Sequence, residues 1–168
     1  MRRWISLLVV LCLLGTAAAC STDKEKEASS LPETSETAPS LLQVDLATLL
    51  TPEQIGDAIG ASVGEPQMYE DDTWAHYTAT DSATTVDISL DETTRAVFDA
   101  RADLYPDKVE APFVGEISWW DAQSGELLTY GDGYTISVRV GFADEADEDM
   151  QLMATRHLTA LLLERLAA

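Results

Sequence analysis

A cysteine at position 20 decides how much of this chain is free to fold. It follows Met1-Arg2-Arg3, an apolar run from Trp4 to Leu14, and the small stretch Gly15-Thr16-Ala17-Ala18-Ala19. A charged start, a short apolar segment and small residues at a cut site are the marks of a bacterial export signal. Cys20 then stands at the first mature position, where a thiol accepts a diacylglycerol thioether. Two or more acyl chains, palmitate among them, hold a protein to a membrane far more firmly than one. Residues 1–19 are thus expected to leave as a signal peptide, and the remainder to lie outside the cytoplasm, anchored to the cell membrane by a lipid on Cys20. Two other readings use the same residues. Ala17-x-Ala19 also suits an ordinary signal peptidase, and Ala17 stands where lipoprotein cut sites usually carry Leu. An uncleaved membrane helix would need roughly 20 apolar residues, more than this run supplies. A polar tether directly after the cysteine favours lipidation.

That tether, Ser21 to Ser40, is rich in Ser, Thr, Glu and Pro and has almost nothing to bury, so disorder is expected. A flexible coil of this length spans roughly 25 Å and would lift a domain off the lipid surface. The rest, 41–168, is one domain's worth of chain, able to bury around two-thirds of its unfolded surface. It must do so without a disulfide, because the two cysteines are Cys12, inside the signal, and Cys20. Between Leu41 and Ala168 there are 25 acidic and 6 basic residues. Such a field repels nucleic acid and anionic surfaces and attracts cations and basic partners, although high net charge speaks first to solubility.

Patterning along 41–168 predicts an α+β domain: an antiparallel sheet of about five strands, helices packed on it, and a long C-terminal helix. Thr51-Pro52-Glu53-Gln54 is a helix start with a capping box, Ile55, Ala58 and Ile59 mark one face, and Gly60 is the stop. Trp74 to Thr80 and Thr84 to Leu90 read as a hairpin, followed by a helix capped by Asp91 and stopped by Pro106. Phe113 to Trp120, Glu126 to Tyr130 and Tyr134 to Gly141 read as a three-stranded meander. The last helix is expected from about Ala146, with Met150, Met153, Ala154, Leu158, Leu161 and Leu162 on its apolar side.

Two stretches carry a family resemblance. Leu46-Ala47-Thr48-Leu49-Leu50-Thr51-Pro52-Glu53, running into Ala58-Ile59-Gly60, resembles the opening of a group of small actinobacterial cell-envelope lipoproteins with a domain of unknown function. Members read Cys-x-Leu-Leu-Thr-Pro and then a helix ending Leu-Gly. Val114-Gly115-Glu116-Ile117-Ser118-Trp119-Trp120, with Gly125-Glu126-Leu127 and Gly131-Asp132-Gly133, is similar to their Gly-Asp-x-Ala-aromatic-Trp segment and final hairpin. Ala47 stands where the group carries a domain cysteine, and the second cysteine is absent near Asp72. The resemblance implies a lipid anchor and no assigned activity.

Catalytic signatures are sparse. His76 falls in a strand and His157 in a helix, without a His-Glu-x-x-His, a Gly-x-Ser-x-Gly or a phosphate-cradling glycine loop. No catalytic residue and no cofactor is expected. Asp144, Glu145, Asp147, Glu148 and Asp149 offer hard oxygen ligands of the kind Ca²⁺ takes, but they lie where the last helix begins and capping explains them more simply.

The pair Trp119-Trp120 is the best binding clue. Neighbours on a strand point to opposite faces, so both rings enter one core only if both faces are covered. If Tyr130 pairs with Tyr134 across Gly131-Asp132-Gly133, then Leu128, Ile136, Val138 and Val140 share the buried face. Leu127, Thr129, Thr135, Ser137 and Arg139 share the other. Trp119, Trp120, Leu127 and Arg139 are therefore the candidate partner-binding residues, for an envelope protein, a peptide or a glycan. The expectation is a membrane-anchored binding or accessory module and not an enzyme. A cell-envelope enzyme or enzyme accessory with a dispersed site, or an acidic surface-coat protein, is the alternative.

Overall fold

Capping chemistry sets where each helix begins in the computed structural model, which describes residues 44–69, 72–112, 114–143 and 147–168. Cys20, the signal, the tether, and Asp144 and Glu145 lie outside the described residues. Asp45 caps a single turn, α1 (Leu46–Leu49), by accepting from the Ala47 N–H. Thr51 opens α2 (Pro52–Ile59) with the expected capping box. Its Oγ1 accepts from the Gln54 N–H at 3.3 Å, while Gln54 Oε1 accepts from the Thr51 N–H at 3.0 Å. Gly60 ends the helix in the left-handed region, at φ 69°. The next helix, α3 (Arg95–Ala102), is capped by Thr94 and not by Asp91. Asp91 and Glu92 instead continue a strand, held opposite Thr135 and Tyr134, so a long-range ladder overrides a local cap signal. Asp147 caps the last helix, α4 (Glu148–Leu166).

Seven antiparallel strands form one sheet: β1 (Gln67–Tyr69), β2 (Trp74–Thr78), β3 (Thr85–Glu92), β4 (Val109–Glu110), β5 (Ile117–Asp121), β6 (Glu126–Gly131) and β7 (Tyr134–Gly141). Their order is β1-β2-β3-β7-β6-β5-β4. The five inner strands are the expected ones; β1 and β4, three and two residues long, are too short for alternation to signal. β5 starts at Ile117, because Gly115 at φ 63° turns the chain just before it.

The β6–β7 turn differs from expectation by one residue. Asp132 and Gly133, at φ 53° and 81°, make a two-residue hairpin loop, and Gly131 pairs with Tyr134. A one-residue shift moves every β6 side chain to the opposite face. Leu127 and Thr129 thus join Val138 and Ile136 on one face, while Glu126, Leu128 and Tyr130 join Arg139, Ser137 and Thr135 on the other.

The first of these faces carries the main core. Ala75, Tyr77, Val86, Ile88, Leu90, Ile136, Val138 and Val140 pack with Leu46, Leu50, Ile55 and Ile59 and with Ala154, Leu158, Leu162 and Leu166 of α4. Met150 and Met153, expected on the apolar side of α4, are exposed, and Thr155 and Thr159 are buried in their stead. Each threonine hydroxyl donates to the carbonyl four residues earlier, which lets it enter an apolar layer without an unpaired donor. The second face is covered unevenly. Phe98 and Ala102 of α3 close over Leu128, Ile117, Trp119 and Tyr130 on β5 and β6. Across β2, β3 and β7 the same face keeps His76, Asp87 and Ser89 half-buried and Arg139 exposed.

Candidate binding site

Strand alternation sends Trp119 and Trp120 apart. Trp120 faces Leu127 and is buried with Ala111 and Leu152, its Nε1–H donating to Glu148 Oε1 at 3.1 Å. Trp119 faces Leu128 on the second face, half-buried, with Lys108 Nζ 5.5 Å from its ring centroid. Two candidates for partner contact are therefore corrected. Trp120 is 1% exposed and Leu127 is 0% exposed, both in core, because the two-residue turn puts Leu127 on the face opposite Arg139. Trp119 and Arg139 do share a face, through the rows Trp119–Leu128–Ser137 and Glu126–Arg139.

Where α3 stops covering that face, a polar basin of about 290 Å³ opens. β2 supplies Trp74 and β3 supplies Asp87, Ser89 and Asp91. From β7 come Ser137 and Arg139, from β6 Glu126, and from the α3 side Arg101 and Tyr105. Each β residue arrives there by the same rule, since every second side chain of a strand points outward. Three carboxylates organise the cluster. Asp87 Oδ1 accepts from His76 Nδ1 at 2.7 Å, and its Oδ2 accepts from Arg139 Nη2 and Nε at 2.8 and 3.3 Å. Glu126 accepts from Ser137 Oγ at 2.6 Å through one oxygen and from the Tyr105 hydroxyl at 2.9 Å through the other. Arg101 Nη1 donates to Asp91 at 3.1 Å, and its other amino group lies 3.7 Å from Glu126.

The electrostatics follow from these partners. Burial pushes the Asp87 carboxyl up, but hydrogen bonds from His76 and Arg139 and the charge on Arg139 outweigh it, leaving the group below its ordinary range. Burial and the neighbouring Glu126 charge push the Tyr105 phenol up, so it remains a donor. Because Asp87 only accepts, His76 carries its proton on Nδ1 in the neutral form, and Nε2 is left to accept from Thr78 Oγ1 at 3.3 Å.

His157, by contrast, is exposed on α4. In the acidic stretch, Asp147 caps α4 by accepting from the Asp149 N–H and Glu148 holds Trp120. Among the described residues no group of three or more His, Cys, Asp and Glu side chains is placed to hold a metal ion. A wider groove of about 630 Å³ runs along α2 and is lined by Glu53, Asp57, Asp81 and small residues. Its lining holds no aromatic ring and no basic side chain. No helix among the described residues is long and apolar enough to cross a membrane.

Sequence reasoning reached Arg139 but missed Trp74, Asp87, Ser89, Asp91, Arg101, Tyr105, Glu126 and Ser137. A signal existed in the outward set of β3, Asp87, Ser89 and Asp91, facing the outward set of β7, Ser137 and Arg139. No protein-family model, curated protein or solved structure matches this chain. The resemblance to actinobacterial lipoproteins thus rests on the quoted motifs alone.

Proposed function

We propose that this chain is an extracytoplasmic lipoprotein, held to the cell membrane through Cys20, whose domain works by binding at the basin rather than by catalysis. One observation carries the binding reading: side chains from four strands and the α3 side converge on an open half-face, while the rest of that face is apolar and covered. The ion pairs alone are a weak reason for such a cluster, because Arg139 and Asp91 are about half exposed and pairs of that kind contribute only about 0–1 kcal/mol each. A held set of donors and acceptors is what a recognition surface needs. The export signal, the cysteine and the polar tether support the location.

Two measurements test this. Wild-type protein should partition into the detergent phase and Cys20→Ala should not; equal membrane retention would replace the lipid anchor with an uncleaved helix. For the basin, hydroxyl-radical footprinting of the Cys20→Ala chain with envelope extract should protect Trp74 and Tyr105 but not His157 or Met153. Equal change at all four would remove the basin as the contact surface. A second reading has one observation in its favour, the row Thr78–His76–Asp87 with a hydroxyl, an imidazole and a carboxylate in sequence. Arg139 donates to the same carboxylate, so Asp87 is shared between two partners rather than devoted to the imidazole. A fluorophosphonate probe should leave Thr78 unlabelled; labelling there would make the chain a hydrolase.

A further inference from the structure

We propose that the basin takes a neutral saccharide, with the indole of Trp74 as its stacking platform, an inference that rests on the basin being the binding surface. Trp74 lines the basin and pairs across the strands with Tyr69, their ring centroids 4.9 Å apart and their planes tilted by 38°. Tyr69 is 42% exposed, and its hydroxyl donates to Gln67 Oε1 at 2.7 Å, which fixes the phenol in place. The two rings make an aromatic shelf beside a field of polar groups.

A pyranose or furanose has matching chemistry. Its C–H face carries partial positive charge and suits the negative face of an aromatic ring. Its hydroxyls each donate and accept, and neighbouring pairs suit the two oxygens of a carboxylate or the fork of a guanidinium. Asp87, Glu126 and Arg139 supply those planar groups, already oriented by His76, Ser137 and one another.

Charge separates this ligand from its rivals. Arg139 is held by Asp87, and Arg101 by Asp91 and Glu126, so no cation in the basin is without its carboxylate. Three carboxylates against two guanidiniums, in a chain of net charge −20, offer an anion no positive surplus. Phosphate, sulfate and acidic sugars are disfavoured on that count. An apolar ligand would strip the remaining water from a charged lining and offer no hydrogen bond in its place. At about 290 Å³ the basin lies at the small end of ligand sites, roughly 300–1,000 Å³, a size for one or two rings of a longer glycan that continues over the aromatic shelf.

The test is a glycan array probed with the labelled Cys20→Ala chain, followed by calorimetry on the oligosaccharides it retains. Neutral glycans should dominate, and their affinity should hardly change with salt. Trp74→Ala should weaken binding by roughly tenfold to thirtyfold, the loss of one interface hot spot. Trp74→Tyr, which keeps an aromatic face, should restore most of it, and Trp74→Leu should not. Urea midpoints of all three variants separate lost binding from lost folding. Retention of charged glycans alone, with salt-dependent affinity, overturns the proposal. So does undiminished neutral-glycan binding by a folded Trp74→Ala. If no neutral glycan binds while extract still protects Trp74 and Tyr105, the saccharide is overturned and the basin stands. If nothing protects those residues, both fall.

Discussion

Removing the Tyr77 hydroxyl should make the protein more stable. Tyr77 lies on the core face of β2, 1% exposed, and its hydroxyl is buried without a hydrogen-bond partner among the described residues. Leaving such a group unpaired costs about 1–3 kcal/mol relative to hydration in the unfolded chain. Tyr77→Phe deletes one oxygen and keeps the ring, so it forfeits only about a few tenths of a kcal/mol of dispersion contact. The net expectation is a gain of roughly 1–2 kcal/mol, or a rise in Tm of roughly 3–8 °C for a domain of this size. Alkali adds a second readout. Burial, with the charges of Glu65 and Asp45, pushes the Tyr77 phenol up to about 12 from its ordinary 10.0. A raised value in the folded state means stability is fully present below the unfolded value and lost as pH climbs through the folded one. The wild type should therefore shed roughly 2–3 kcal/mol between those limits, and Tyr77→Phe should lack that component. Urea melts at neutral pH and along an alkaline series measure both. A midpoint lowered by Tyr77→Phe, or an unchanged alkaline slope, would refute the unpaired hydroxyl.

Four further substitutions probe the rest of the fold. Trp120→Ala should cost about 3–5 kcal/mol by urea melt, whereas Trp119→Ala, half-buried under Lys108, should cost about half as much or less; similar losses would refute the two-faced β5. Asp87→Asn should cost about 1–2 kcal/mol at neutral pH. Because the folded Asp87 carboxyl lies below its ordinary value, its contribution is present above the unfolded value and lost as pH falls through the folded one. An acid titration of stability should accordingly be flatter in Asp87→Asn, and an identical acid limb would refute the Asp87 network. Gly115→Ala should destabilise by more than about 2 kcal/mol, since φ is 63° and a Cβ would sit 2.6 Å from Thr129 Cγ2 and 2.7 Å from the Tyr130 carbonyl oxygen; a silent substitution would show that the turn before β5 is wrongly placed.

What was legible in the chain divides by range of interaction. The start and stop of α2 are local, written in Thr51, Pro52, Gln54 and Gly60, and they hold. The facing of β7 holds for the same reason, with Ile136, Val138 and Val140 in the core, although Thr135 and Ser137 on the other face are buried as well and only Arg139 stays exposed. The register of β6 turned on whether Gly131 belongs to the loop or to the strand. Asp132-Gly133 alone suffices for a two-residue turn with positive φ at both positions, so the information was present but shared with a longer alternative. The start of α3 was not legible locally. Asp91 and Thr94 are both good caps, and only the pairing of Asp91 with Thr135 removes the first. Trp119 and Trp120 were separable in principle but not assignable until β5 was set against β6. The basin is the least local feature, since His76, Asp87, Glu126 and Arg139 become neighbours only through the β2-β3-β7-β6 order.

Uneven cover explains why a polar cluster survives there. α4 runs nineteen residues and closes the core face together with α1 and α2, whereas α3 has eight residues and reaches Leu128 but not β2. An apolar lining beyond the edge of α3 would leave an exposed patch inviting association. Unpaired charges there would leave the outward rows repelling one another, since Asp87, Asp91 and Glu126 all face the same way. Pairing each carboxylate with a donor from the next strand or from α3 resolves both difficulties. It also holds the side chains in one arrangement before any ligand arrives, which lowers the ordering cost of recognition. On the proposed reading, the same ladder that makes the half-face tolerable in water also readies it to exchange hydrogen bonds with a polyhydroxy ligand.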